Sequence, residues 1–266
     1  MADNVYFDLT RVFNDRGPIV ALASGQAVVH YRIAIMSKDG DWVIRETAEA
    51  CARVLDVLAR RGASYRPGAP LDPQWLAGGW SSHFEYTDER GRRVRCDFFS
   101  RPPRVSAAAI DRLFAAARDR FLVVDVESLI RMKQTQRAKD YAVIGELATR
   151  LPPALELLVT TDPDRLLDLA PQAGAHVRRP AVRAAVDGDR DGVVVALARE
   201  QDSQRRSDAT RMSAYAAAAG LYLDAFSRLT SSERRLPHAH AQVTGLAEHH
   251  LPTTIILPGA ADADAE

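Results

Sequence analysis

Residues 82–99 read Ser-His-Phe-Glu-Tyr-Thr-Asp-Glu-Arg-Gly-Arg-Arg-Val-Arg-Cys-Asp-Phe-Phe, and this stretch decides the fold class. Ser82 to Tyr86 alternates apolar and polar, Asp88-Glu89-Arg90-Gly91 is a turn, and Arg93 to Phe99 alternates again. Two period-two runs around a turn that contains Gly predict a β-hairpin. In its second strand Val94, Cys96 and Phe98 share one face; Arg95, Asp97 and Phe99 share the other. Asp97 therefore sits within a half-buried alternation, where a carboxylate is costly unless it is paired or liganded.

Working outward, Ser37 to Glu46 contains a second strand, with Asp39, Asp41 and Val43 on one face and Trp42 and Ile44 on the other. Before it, Phe7 to Phe13 reads as a short helix, and Ile19 to Ala23 is an apolar run ending at Ser24-Gly25. A helix over Gln26 to Tyr31 follows that turn. Thr47 to Arg60 has apolar residues at helical spacing (Ala48, Cys51, Val54, Leu55, Leu58) and Gly62 stops it. Arg66 to Gly79 is rich in Pro and Gly and reads as a loop. Ala107 to Arg118 reads as a helix and Phe121 to Val126 as a short buried strand.

From Glu127 onward only helices are expected: Ser128–Arg150, Asp164–Ala170, Pro180–Val186, about Val193 to Leu229, and Pro237–His250. The expected architecture is α/β (α+β): a mixed-sheet domain over 1–127 packed against an all-helical C-terminal domain over 128–266, with no flexible linker between them. The small, acidic tail from Ala260 is expected to fray.

Of 266 residues, 47% are hydrophobic and 26% charged, ordinary values for a chain that buries a core. Lys plus Arg number 35 and Asp plus Glu number 35, a balance that argues against a dedicated duplex-coating protein. Cys51 and Cys96 have no metal-ligand spacing and suggest a reducing compartment. Met1 to Asp15 is too polar and acidic for a secretory signal, and no apolar run approaches the ~20 residues that span a membrane. A cytoplasmic protein with no membrane partner is the expectation.

Asp39 and Asp41 lie on one face of a strand, and Asp97 comes from another. Three carboxylates brought together repel one another unless a cation shares them, and hard divalent cations prefer oxygen ligands. Two such ions ~3.5–4 Å apart can serve an in-line displacement. The plainer reading of Asp-x-Asp is a polar strand end. Ser24-Gly25 places small residues before a helix, where backbone N–H groups could meet a phosphate; the plainer reading is a common strand-to-helix turn. Lys133, Arg137 and Asp140 stand at i, i+4 and i+7, one face of the expected helix. Lys as a point charge and Arg as a fork can hold phosphate, with Asp140 orienting either. A solvated, ion-paired face is the alternative.

The order of these features resembles the nucleotidyltransferase superfamily: a Ser24-Gly25 turn, a spacer over 26–38, the pair Asp39-Gly40-Asp41, and a third acid at Asp97. The resemblance implies that Asp39, Asp41 and Asp97 hold catalytic Mg²⁺ or Mn²⁺, and that Ser24 and Gly25 touch an NTP such as ATP. Three features depart from the pattern. The turn reads Ser-Gly rather than Gly-Ser or Gly-Gly, Gly40 replaces the usual apolar residue, and Arg32 is the nearest candidate for the basic residue that often follows the turn. Leu129, Lys133, Arg137 and Lys139-Asp140 are similar to the branch that includes AbiEii-type toxins and related bacterial proteins. That implies phosphate contacts for Lys133 and Arg137 and raises a toxin–antitoxin partner. The resemblance covers about residues 20–148.

The implied activity is transfer of a nucleotidyl group from an NTP to an acceptor hydroxyl on RNA, protein or a small molecule. The alternatives are a degenerate fold that binds a nucleotide or partner, and an antibiotic-type small-molecule nucleotidyltransferase. His238, His240, His249 and His250 fit no zinc spacing and are expected at the surface. Trp80 and His83 lie in the segment entering the hairpin; His83 could line the pocket, and a structural role is the expectation for both. Arg199, Arg205, Arg206 and Arg211 could face an acceptor such as RNA, but interleaving with Glu200, Asp202 and Asp208 favours a solvated, ion-paired face. Tyr215, Leu221, Tyr222 and Phe226 are expected in a core or domain interface.

Overall fold

The computed structural model describes residues 4–174 and 178–255; the tail from Ala260 lies outside them. In chain order the elements are α1 (Val5–Phe13), β1 (Val20–Ala23), α2 (Ser24–His30), β2 (Gly40–Ile44), α3 (Ala48–Ala59), β3 (Ser64–Tyr65), α4 (Pro73–Ala77), β4 (Ser82–Thr87), β5 (Arg93–Phe99), α5 (Ala107–Ala115), α6 (Val126–Lys133), α7 (Lys139–Ala148), α8 (Pro153–Val159), α9 (Pro163–Leu169), α10 (Pro180–Val186), α11 (Arg190–Ala218), α12 (Gly220–Ser227) and α13 (Ala239–His250). The fold is a mixed α/β core followed by a helical region. Contacts group Met1–Val124 with Ser213–Glu266 in one unit and set Asp125–Met212 apart as a second. Among the described residues no helix is long and apolar enough to cross a membrane.

The helix starts follow local chemistry. Side chains of Asn4, Thr47, Ser106, Asp125 and Asp162 accept from first-turn N–H groups of α1, α3, α5, α6 and α9. Prolines open α4, α8, α9 and α10, where a missing N–H costs nothing.

In the first unit five strands form one sheet in the order β1-β2-β5-β4-β3. β2 and β5 are parallel; the other neighbours are antiparallel. Trp42 of β2 stacks on Phe98 of β5, with centroids 5.3 Å apart and planes 16° from parallel. Phe13 of α1 meets both rings edge-on at 5.5 and 5.6 Å. Trp42 Nε1 donates to Thr10 Oγ1 at 2.9 Å, and Thr10 in turn donates to Tyr6 O at 2.8 Å, so the buried indole N–H is satisfied. Tyr222, Phe226, Val243 and Ala247 of α12 and α13 join this core. Both sheet edges are sealed. Leu22 exchanges backbone bonds with Leu122 and Val124 beyond β1, and Tyr65 N and Ala63 O bond Arg234 O and Leu236 N beyond β3.

Several elements differ from the reading of the sequence. Phe121–Val126 is no strand: Leu22↔Val123 is an isolated bridge, because Asp125 already caps α6. The helix expected over 128–150 breaks between Lys133 and Lys139, and that over 193–229 breaks at Ala219, beside the weak helix former Gly220. α4 lies inside the expected loop, and β3 comes directly before it. Leu221 is 73% exposed, whereas Tyr222 and Phe226 are buried as expected. His240, expected at the surface, is half-buried. Its Nδ1 lies 2.8 Å from the hydroxyl of Tyr65, whose oxygen also accepts from Leu71 N–H, so that hydroxyl donates to a neutral imidazole.

Gly40 explains itself in this setting. A Cβ there would lie 2.4 Å from Tyr6 Cδ1 and 2.5 Å from the Trp42 ring, so the aromatic core already fills the space of a side chain. Gly40→Ala is expected to lower unfolding free energy by about 1–3 kcal/mol, the usual cost of overpacking. Urea denaturation checks this, and a Gly40→Ala/Tyr6→Leu double variant should recover part of the loss.

Burial lowers the pKa of His240 below its ordinary 6.5, with Asp72 opposing weakly. The native state then binds fewer protons than the unfolded one, so this contribution is full above pH 6.5 and is lost as pH falls through the lower native value. Urea midpoints of wild type and His240→Gln should converge on acidification; parallel pH profiles would refute the assignment.

Candidate functional site

Strand register assembles a polar row across the face opposite the Trp42–Phe98 stack. Ala23 pairs with Asp41, Asp41 with Asp97, and Asp97 with His83, on four successive strands. Neighbouring strands lie about 4.8 Å apart, so the two carboxylates stand side by side. Arg95 and Glu85 form the next row along the same face. Asp39 immediately precedes β2, and its Oδ1 is 3.4 Å from Arg95 Nη1.

Basic groups compensate these acids. Arg66 Nη1 donates to Asp97 Oδ1 at 3.1 Å, and its Nε lies 3.7 Å from Glu85 Oε2. Arg93 Nε donates to Glu85 at 2.8 Å. His83 Nδ1 lies 2.9 Å from Asp97 Oδ1, but off the direction of a hydrogen bond; that nitrogen is buried and has no hydrogen-bond partner. We read the contact as one of charge and dipole. Ser81 Oγ meets the other ring nitrogen at 3.0 Å. The Asp97 side chain is 18% exposed and that of Asp39 is 39% exposed. Among the described residues no three or more His, Cys, Asp or Glu side chains gather into a metal-holding set. The pair that the register brings together is Asp41 and Asp97; Asp39 meets Arg95.

Ser24 and Gly25 open α2 directly after β1. Ser24 has φ +49°, a left-handed backbone at the strand-to-helix turn. A Cβ on Gly25 would come within 2.3 Å of Ser37 Oγ, so close packing of the loop that leads to Asp39 also demands glycine here. Gln26 Nε2 ties the same loop through Ser37 O at 2.9 Å. Arg32 has φ +60° and is exposed.

Lys133, Arg137 and Asp140 belong to the second unit. They meet across the break between α6 and α7 rather than along one helix face. Lys133 Nζ is 3.2 Å from Asp140 Oδ1, while Arg137 Nε and Thr135 Oγ1 each donate to Oδ2 at 2.9 Å. The Lys133 and Asp140 side chains are only 8% and 5% exposed. Gln136 N–H donates to buried Asp208, which further fixes the break.

A cavity of about 520 Å³ lies beyond the carboxyl ends of β2 and β5, lined in part by Arg45, Glu46, Ser100, Arg101 and Phe114. None of Asp39, Asp41 and Asp97 lines it. Arg101 holds Glu46 in a two-pronged pair at 2.6 and 3.0 Å and lowers its pKa.

Arg66, His83, Glu85 and Arg95 complete the polar face; the reading of the sequence put Arg95 on the same strand face as Asp97 but did not bring Arg66 or Glu85 to it. Alternation in the hairpin carries a signal for three of them, because the turn at 88–91 sets His83 opposite Asp97 and Glu85 opposite Arg95. Arg66 sits after a two-residue strand and carries no such signal.

The chain matches no protein-family model and no curated protein. Two solved structures are distantly similar. One is a candidate nucleotidyltransferase from H. pylori, at 12% identity over 76% of this chain and 94% of that chain, TM-score 0.40. The other is JHP933 from Helicobacter pylori, at 12% identity over 79% and 94%, TM-score 0.39.

The Lys133–Asp140 pair makes its own prediction. Asp140→Ala strands a buried ammonium and should cost about 3–5 kcal/mol, whereas Lys133→Met/Asp140→Leu should restore much of that stability. Thermal unfolding of the three proteins is the check.

Proposed function

We propose that this chain is a metal-dependent nucleotidyltransferase that moves a nucleotidyl group from an NTP to an acceptor hydroxyl. The observation that carries the reading is the pairing of Asp41 with Asp97 on adjacent parallel strands, on a partly exposed face. The donor set fits Mg²⁺ or Mn²⁺: both groups are hard oxygen donors, and Mg²⁺ commonly uses one or two carboxylates with substrate phosphates and water completing the shell. The unpartnered, buried His83 Nδ1 beside Asp97 is a polar atom that the protein alone leaves unsatisfied. When bound, the ion would lower the acceptor's pKa and offset charge on the departing pyrophosphate.

In this proposal Asp41 and Asp97 hold the ion and Asp39 supports them from the next row. Asp97 also takes the proton of the acceptor hydroxyl. Ser24 and Gly25 position the triphosphate. Lys133 and Arg137 are proposed as phosphate contacts, oriented by Asp140, on the strength of the sequence resemblance. Kinship with AbiEii-type toxins, and a toxin–antitoxin partner, rest on the same motif.

One observation favours a second reading, a nucleotide- or partner-binding module. Asp97 and Asp39 are already engaged by Arg66 and Arg95 without any ion. The two readings separate experimentally. Each of the four α-phosphate-labelled NTPs, with Mg²⁺ or Mn²⁺, would be incubated with the protein and with RNA, protein or small-molecule acceptors. Asp41→Asn and Asp97→Asn should each reduce transfer by more than the roughly 10–100-fold typical of an outer-shell loss. Tight NTP binding with no transfer to any acceptor would instead establish the binding module.

A further inference from the structure

Arg66 leaves the sheet at its far side from Ser24 and Gly25, and its backbone is fixed: its N–H donates to His83 O at 2.9 Å. The guanidinium reaches back over β4 to Asp97 Oδ1 at 3.1 Å. Only 27% of this side chain is exposed, and its second acid, Glu85, is shared with Arg93. Asp97 is therefore the carboxylate that a divalent ion beside Asp41 would need, and it is also the main partner of Arg66. His83 Nδ1 crowds the same oxygen at 2.9 Å. Two cations approaching one carboxylate repel each other, so ion binding at Asp97 and the Arg66 contact oppose one another.

A polyphosphate changes this balance. Two oxygens on one Mg²⁺, each about 2.1 Å from it, are at most about 4.2 Å apart. A phosphate oxygen sharing the ion with Asp97 would thus lie within reach of the same guanidinium, and a planar fork matches phosphate as well as it matches carboxylate.

Resting on the nucleotidyltransferase reading above, we infer that Arg66 makes ion binding at Asp41 and Asp97 conditional on the triphosphate. Without nucleotide its guanidinium occupies Asp97 and weakens the site for a bare divalent ion. With nucleotide the fork passes to the phosphates and leaves the carboxylate to the ion. Ion and nucleotide then bind with positive coupling, and Arg66 is the positioning residue through which the coupling runs.

The test measures Mn²⁺ binding by electron paramagnetic resonance on the full chain, first with the ion alone. Arg66→Gln should bind bare Mn²⁺ at least about fivefold more tightly than wild type, the lower end of ordinary coupling. Arg66→Lys keeps the charge and should stay near wild type, and it guards against a folding defect in the Gln variant. Asp97→Asn should lose the ion in either background. With a saturating α,β-methylene nucleoside triphosphate the advantage of Arg66→Gln should vanish, and that variant should need several-fold more nucleotide to saturate. Equal or weaker Mn²⁺ binding by Arg66→Gln, with Asp97→Asn still losing the ion, would overturn the role of Arg66 and leave the metal reading standing. Absence of Mn²⁺ binding from every variant, with or without nucleotide, would remove the metal reading and this inference together.

Discussion

The ring stack between Trp42 and Phe98 fixes the parallel strand pairing, which no turn can set. β4 and β5 are joined by a hairpin whose turn dictates their register, but β2 and β5 are parallel and far apart in sequence. Register in such a pair must come from packing, and a slip of one residue turns every side chain to the opposite face. Here a slip would put Trp42 in water and Asp41 in the aromatic core. Phe13 closing on both rings, with Thr10 taking the indole proton, makes the native register the one that buries three aromatics without an orphaned donor. The side-by-side placement of Asp41 and Asp97 is the other face of that constraint.

The chain treats its buried and half-buried charges consistently. Acids of the sheet face are matched by Arg66, Arg93 and Arg95, and Glu46 is clasped by Arg101 and Ser100. In the second unit Asp140 gathers Lys133, Thr135 and Arg137, while buried Glu156 holds Arg165 through both oxygens. Such networks fix geometry more than they add stability.

The sequence was most informative where one period dominates. The alternation of 93–99 maps onto β5, the spacing of 48–58 onto α3, and Pro180 onto the first residue of α10. It was least informative where tertiary contacts override local pattern. Nothing in 128–150 announces that Asp140 will draw Lys133 and Arg137 across a helix break, since the same spacing suits an unbroken helix face. His240 looked like a surface residue because its partner, Tyr65, is 175 positions away. Of the candidate site, the alternating faces of Asp41 and Asp97 were legible; their compensation by Arg66 was not, because a residue beside a two-residue strand has no period to read. Gly40 is accounted for by Tyr6, another contact distant in sequence.

The sealed sheet edges bear on how the chain is made. Residues 122–124 cover β1 soon after the last strand has been synthesised, but β3 waits for Arg234 and Leu236. On the ribosome the far edge of the sheet therefore stands open while more than a hundred further residues emerge. An open edge is a template for pairing with a neighbouring chain. Truncations that end the chain before α12 would leave that template permanently exposed, and the hazard they create is aggregation of the nascent or shortened protein as well as loss of core.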